Sequence, residues 1–347
     1  MSAVKFTRKQ FESFVSALIQ SGRPVMAPQE KNGRYAFEPL AAAEEFRLDY
    51  DVTILPPKKY LLPQTETLLT YQVGGAYSSV QDEEPMILLG VHPYDMAAIN
   101  QMDELFRQDQ YDKHYMDRRC RTTIIALDVV TPSENVFAAS MGTATVKSGY
   151  DILLTVLPDG SILADAATDN GQQLLDPAAE STPAAEADLK ARKAVWDKNE
   201  KALNKHVLKC KPSYLPKLLE NAYDHPVWEE KARLCYSCGS CNQVCPTCYC
   251  FDVQDQVSWD LKTGERKRCW DGCLLENFAT VAGNHNFRKD RAARYRHRLY
   301  RKGKYVPGKI GGQIACVGCG RCITACTAKI ANPVEVYNRL MEDTELG

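Results

Sequence analysis

The sequence predicts an α+β protein: a mixed α/β domain at the N-terminus, then a largely helical domain built around cysteine. Three observations predict this. Over the first half, apolar runs suited to strands alternate with helical spacing, as in PMILLGVHPYDMAAINQMDELF, residues 85–106. From residue 171 the composition turns to Ala, Glu and Lys. Twelve of the fourteen cysteines then fall after residue 226. The expected division is a partner-docking α/β domain over 1–170, a linker and exposed helix over 171–225, and the cysteine domain over 226–347.

The elements follow in order. Near the N-terminus Phe11, Phe14, Val15 and Leu18 fall on one helical face. In residues 85–106, MILLG reads as a buried strand and His92-Pro93 as a turn. Met96, Ile99, Met102 and Leu105 then mark the inner face of a helix. TTIIALDVV, residues 122–130, is a second buried strand. GYDILLTVLPDGSILADA, residues 149–166, is a hairpin turning at Pro158-Asp159-Gly160. The stretch from Asp176 to Lys209 is a linker followed by a helix. The long insert between the two cysteine motifs, residues 246–315, argues for a helical domain rather than a minimal one.

The totals are those of an ordinary globular chain: 347 residues, 44 % apolar, 25 % charged, net charge −1. No run of about 18 apolar residues exists to span a membrane. The N-terminus lacks the charged-then-apolar pattern of a signal peptide, so a cytoplasmic location is expected. In a reducing compartment many cysteines point to metal or redox chemistry rather than disulfides. Charge is uneven: from residue 229 onward there are 19 Lys and Arg against 13 Asp and Glu.

Cys235, Cys238, Cys241 and Cys245, followed by Pro246, form C-x2-C-x2-C-x3-C-P. That spacing wraps a cubane iron–sulfur cluster, because three close thiolates reach three corners while the fourth points away. Cys316, Cys319, Cys322 and Cys326 repeat it, with Thr327 in place of Pro. The pattern makes this a ferredoxin-like dicluster 4Fe–4S domain. In two-cluster ferredoxins the fourth cysteine serves the other cluster. Carried over, Cys235, Cys238, Cys241 and Cys326 hold cluster 1, and Cys316, Cys319, Cys322 and Cys245 hold cluster 2. Gly239, Gly318 and Gly320 sit between ligands, where backbone amides can approach the sulfides. Structural zinc also uses C-x2-C pairs, but a third cysteine at the same spacing would be surplus. Cys248, Cys250, Cys269 and Cys273 have the right count for a third metal site, or are buried thiols beside the clusters. Cys120 and Cys210 stand alone and read as plain thiols.

CPTCYCFD, RCWDGC, RKDRAARYRHRLY and CVGCGRCITAC, in that order, resemble the iron–sulfur β subunit of cytoplasmic sulfhydrogenases and the A subunit of anaerobic sulfite reductase. Upstream, GVHPYD is similar to a G-V-R-x-C-D stretch of that family, and SMGTATVKSG to its S-M-G-T-G segment. The resemblance covers most of residues 85–330. It implies an electron-transfer subunit without substrate chemistry of its own, in an anaerobic complex with a flavin- and NAD(P)-binding subunit and a catalytic oxidoreductase subunit. His92 and Tyr94 stand where the family tends to have Arg and Cys, and FAAS lacks a family cysteine. Cys269 is additional to the family pattern.

Residues 288–305 hold nine Lys and Arg against one Asp. Nucleic acid could bind such a stretch, but clusters carry negative charge that cations offset in a low-dielectric interior. Arg291, Arg294 and Arg298 share a helix face, a stripe suited to lining the cluster pocket or a partner surface. His285 is expected to hydrogen-bond a sulfide or cap a turn, and His92 to be a satisfied turn histidine. No G-x-G-x-x-G or phosphate loop occurs. The competing expectation is catalytic: the extra cysteines would form a metal–thiolate centre acting on a sulfur compound or a disulfide.

Overall fold

The computed structural model describes residues 3–81, 84–176 and 181–345, so residues 177–180 of the expected linker lie outside it. In chain order the first part gives β1 (Val4–Phe6), α1 (Arg8–Gln20), β2 (Val25–Lys31), β3 (Arg34–Pro39), α2 (Lys58–Leu61), β4 (Thr65–Gln72) and β5 (Tyr77–Ser79). Then come β6 (Met86–Val91), α3 (Pro93–Arg107), α4 (Lys113–Arg121), β7 (Thr122–Leu127), β8 (Ile152–Val156), β9 (Ile162–Ala166) and α5 (Asp169–Leu175). An eight-stranded sheet runs β10-β1-β9-β8-β7-β6-β2-β3, where β10 is Thr182–Pro183. Its centre, β2, β6, β7 and β8, is parallel.

The sheet is buried on both faces, so its central strands carry continuous apolar runs rather than alternation. Ile87, Leu89, Ile125 and Leu127 point to α1, which supplies Phe11, Phe14, Val15 and Leu18 as its periodicity requires. Leu88, Val91 and Ile124 point to the other face and meet Met96, Ile99 and Met102 of α3. Thr7 caps α1 with a reciprocal capping box to Gln10. Gly90, at φ 86°, makes a bulge between Leu89 and Val91 that turns the chain into His92-Pro93. A side chain there would meet the Phe46 ring at 2.8 Å. The hairpin β8–β9 forms across Leu157–Ser161.

Next come α6 (Glu186–Ala202), α7 (Leu215–Leu218), α8 (Val227–Leu234), α9 (Ser240–Gln243), β11 (Phe251–Val257) and β12 (Thr263–Trp270). The chain ends in α10 (Arg291–Tyr300), α11 (Arg321–Thr324) and α12 (Pro333–Glu345). Helix α6 is largely exposed, yet tied down: Trp196 Nε1 donates to Asp128 at 2.8 Å and Asn199 to the Val129 carbonyl. A second core gathers Trp228, Tyr295, Leu299, Tyr337 and Leu340 around the cysteine loops.

The insert between the motifs is not helical throughout, a correction to the expected largely helical domain. Its first part is the hairpin β11–β12, and β12 pairs antiparallel with β4 in a four-stranded sheet, β11-β12-β4-β5. FDVQDQV alternates at period two, with Phe251, Val253 and Val257 in strand register. The basic run after it masked that alternation. The stretches 1–170 and 226–347 therefore share a sheet. Buried Arg268 fastens it, donating to Glu66 and Asp112, while Arg118 reaches the same Glu66 at 3.0 Å.

Candidate metal centre

The two cysteine motifs fold into matched loops. In the first, Ser237 (φ 53°) and Gly239 (φ 73°) are left-handed, and Gly239 opens α9. In the second, Gly318 (φ 65°) and Gly320 (φ 78°) occupy the same places, and Gly320 opens α11. Such turns aim successive amides inward. The Ser237 N–H donates to Cys235 Sγ at 3.4 Å and the Ile330 N–H to Cys326 Sγ at 3.4 Å. Helices α9 and α11 pack together. Cys235, Cys241 and Cys322 are buried in one apolar cluster, with Cys316 and Cys326 packed against it. Cys245 lies within electrostatic reach of Cys316 and Cys319. Cys238 is exposed.

The loops differ in what covers them. A Cβ on Gly318 would stand 2.5 Å from the Phe137 carbonyl oxygen, and one on Gly320 2.3 Å from that of Asn135. The second loop is thus pressed against backbone from the α/β part, at the carboxyl end of β7. Phe137 N–H donates to the Gly318 carbonyl at 2.7 Å, and Thr143, in the SMGT segment, donates to the Val317 carbonyl at 2.7 Å. Arg321, next to Gly320, makes two 2.6 Å bonds to Asp95 and reaches both Thr53 oxygens. Both members of that ion pair are fully buried. Burial pushes the Asp95 carboxyl up and Arg321 pulls it back. Removing one partner of such a pair costs about 3–5 kcal/mol.

Cations line the other side. The stripe read on α10 reaches the first loop: exposed Arg291 donates to the Cys235 carbonyl, buried Arg294 to Ser237 Oγ, and buried Arg298 to the Cys241 carbonyl. One turn on, Lys302 donates to Thr247 at 2.8 Å. Arg298 is 2 % exposed. Burial works against its charge, and the sulfurs of Cys241, Cys322, Cys245 and Cys248 more than restore it. Its Nε and Nη1 have no hydrogen-bond partner, nor has Arg294 Nε. Lys58, outside the sequence-derived set, is buried with its amine on the Cys248 carbonyl and the Trp270 ring. Burial lowers its pKa to about 8, and Cys248 opposes that shift. Burial pushes the Cys241 thiol up to about 12 and the Cys316 thiol to about 11. An empty site would therefore hold these thiols protonated, and metal binding releases the protons.

Of the candidate third set, Cys248, Cys250 and Cys273 line one cavity, while Cys269 sits in β12 opposite Thr65 and Asp252, outside it. Among the described residues no three His, Cys, Asp or Glu side chains gather closely enough to hold a single metal ion. His285 is exposed, edge-on to Phe287 at 4.7 Å. Cys210 is half-buried and Cys120 exposed.

His92 is not fully satisfied. Its ring stacks on Tyr50 at 3.9 Å, Nδ1 meets Tyr94 Oη at 2.6 Å, and Nε2 is buried without a partner. Because Tyr94 donates to the Asp51 carbonyl, the proton is assigned to Nδ1. Burial, with Arg321 nearby, keeps this imidazole neutral. Tyr94 lies in one apolar cluster with Cys319.

The donor set fits iron–sulfur clusters. Eight thiols in two loops, amides aimed at sulfur, and buried guanidinium donors lacking acceptors are what an anionic cluster with several sulfide acceptors satisfies. Sequence reasoning missed Asp95, Thr53, Lys58, Asn242 and Lys302 as parts of this region. Asp95 was within sight, in the GVHPYD stretch, but nothing local tied it to Arg321, 226 residues away.

Residues 234–330 match the family described as "4Fe-4S dicluster domain". The chain is also 33 % identical over 344 residues, 99 % of each chain, to the sulfhydrogenase 2 subunit beta of Pyrococcus furiosus. Among the described residues no helix is long and apolar enough to cross a membrane.

Proposed function

The chain belongs to the family of 4Fe–4S dicluster proteins that includes the sulfhydrogenase β subunit, and on that footing we propose that it relays single electrons through two cubane clusters inside a multisubunit oxidoreductase. The ligand sets are Cys235, Cys238, Cys241 and Cys326 for cluster 1, and Cys316, Cys319, Cys322 and Cys245 for cluster 2. Bound cubanes supply reversible one-electron storage. The chain's own residues position and tune. Inward amides at Ser237 and Ile330 stabilise charge on sulfur, and Arg298 balances it from a buried site between the two motifs. The apolar cluster around Cys235, Cys241 and Cys322 excludes water.

The partners are a flavin- and NAD(P)-binding subunit and a catalytic subunit, and the complex is a cytoplasmic one of anaerobic metabolism. The carrying observation is the pair of matched left-handed loops with Arg298 between them, its Nε and Nη1 unmet. Anaerobic purification of the native complex, followed by identification of the co-purifying chains, tests the partners. Alone, the iron-loaded chain should be reduced by dithionite and pass electrons to dyes without turning over a small substrate. Colourless material lacking acid-labile sulfide and a paramagnetic signal after reduction would overturn the relay.

A further inference from the structure

The two motifs leave thiols and cations unaccounted for. Cys248, Cys250 and Cys273 line one cavity with Arg298, Arg301 and Lys302. Asn242, 2 % exposed, links two of them: its Nδ2 lies 3.4 Å from Cys273 Sγ and 3.6 Å from Cys248 Sγ. Its Oδ1 is buried without a partner.

Lys58, 2 % exposed, places its amine on the Cys248 carbonyl. Arg301, half-buried, lines the cavity with its guanidinium 5.0 Å from the Tyr249 ring. Arg298, in contrast, bonds the Cys241 carbonyl of the first motif. Among the described residues, neither Lys58 nor Arg301 pairs with a carboxylate. A buried cation such as Lys58 costs several kcal/mol without an anion. Two clusters in the paired motifs give Arg298 its counter-charge, but Lys58 and Arg301 stand at the other thiols.

We propose that Cys248, Cys250 and Cys273 hold a third iron–sulfur cluster beside Lys58 and Arg301. Cys269 takes no part. The proposal rests on the relay reading only in assigning Cys245 to cluster 2. One iron of the third cluster is then left without cysteine, a coordination position for water or a small anion.

Iron and acid-labile sulfide are counted on the full-length chain, iron-loaded and purified anaerobically free of its partners, with Mössbauer spectra of the same samples. Wild type should carry about twelve irons per chain, three cubanes, against about eight for two. Cys250→Ser and Cys273→Ser should each lose about four irons, while the reduced signals of the remaining clusters persist. Cys269→Ser should lose none. About eight irons in wild type, with or without a bound zinc, overturns the third cluster and leaves the relay standing. Full iron retention in both Cys250→Ser and Cys273→Ser overturns it equally. No iron at all overturns both readings. Should a serine variant fail to fold, the wild-type count decides alone.

Discussion

At the residue scale, the buried charges make the clearest predictions. Asp128 is almost wholly buried, accepts bonds from Thr155 and Trp196, and leaves Oδ1 without a partner. Burial raises its pKa to about 6. A carboxyl raised on folding favours the protonated native state. Its contribution is therefore fullest below the unfolded value near 4 and is lost as pH climbs through about 6. Asp128→Asn should stabilise the protein at pH 7 by on the order of 2 kcal/mol, and by progressively less as pH falls toward 5. Denaturant melts of both forms at several pH values check this. A gain that does not change with pH would be wrong for this mechanism. Arg298→Met removes a cation amid the Cys241 and Cys322 sulfurs. Reduction potentials should fall by roughly 50 mV, about 1 kcal/mol for one electron. Redox titration followed by paramagnetic resonance measures it.

At the element scale, the loops and the hairpin carry the consequences. Gly318→Ala places a Cβ 2.5 Å from the Phe137 carbonyl oxygen, at φ 65°. The left-handed backbone alone costs about 1–2 kcal/mol. The variant should melt lower and lose iron from the second motif, as iron counts and thermal scans would record. Gly308, with open space around it, is the control position. Glu66→Ala leaves Arg118 and Arg268 buried without their shared carboxylate, at a cost of about 3–5 kcal/mol. Detachment of β11–β12 should follow, read as new protease cuts around Ser258–Lys262. Helix α1 was fully legible, because its four buried residues follow the helical period and nothing competes with it. The strand-turn-helix at residues 85–107 was equally legible from its apolar run and Pro93. Strands β11 and β12 were not, since their partner β4 lies far upstream and the alternation of β11 marks no buried face.

At the scale of the whole molecule, the cysteine spacing announced the chemistry, and the contacts that seat it came only from tertiary structure. Short-range geometry fixes C-x2-C-x2-C-x3-C, so sequence suffices there. Asp95 with Arg321, Lys58 with Cys248, and Thr143 with the Val317 carbonyl are long-range pairings that local spacing cannot encode. These ties couple the two halves, so metal loading should be felt across the chain. Stripping iron with a chelator under anoxia should lower the melting temperature of the eight-stranded sheet as well as the cysteine loops. Asp95→Asn should loosen that coupling, leaving hydrogen exchange in β6 and β7 less sensitive to iron.

The pairing of β12 with β4 also bears on synthesis. Thr67 and Glu265, bonded across that pair, are 198 residues apart. At about 5–20 residues per second, a ribosome needs roughly 10–40 s to deliver the second strand after the first. Throughout that interval the nascent chain presents an open strand edge, a template for pairing with its neighbours on the same polysome.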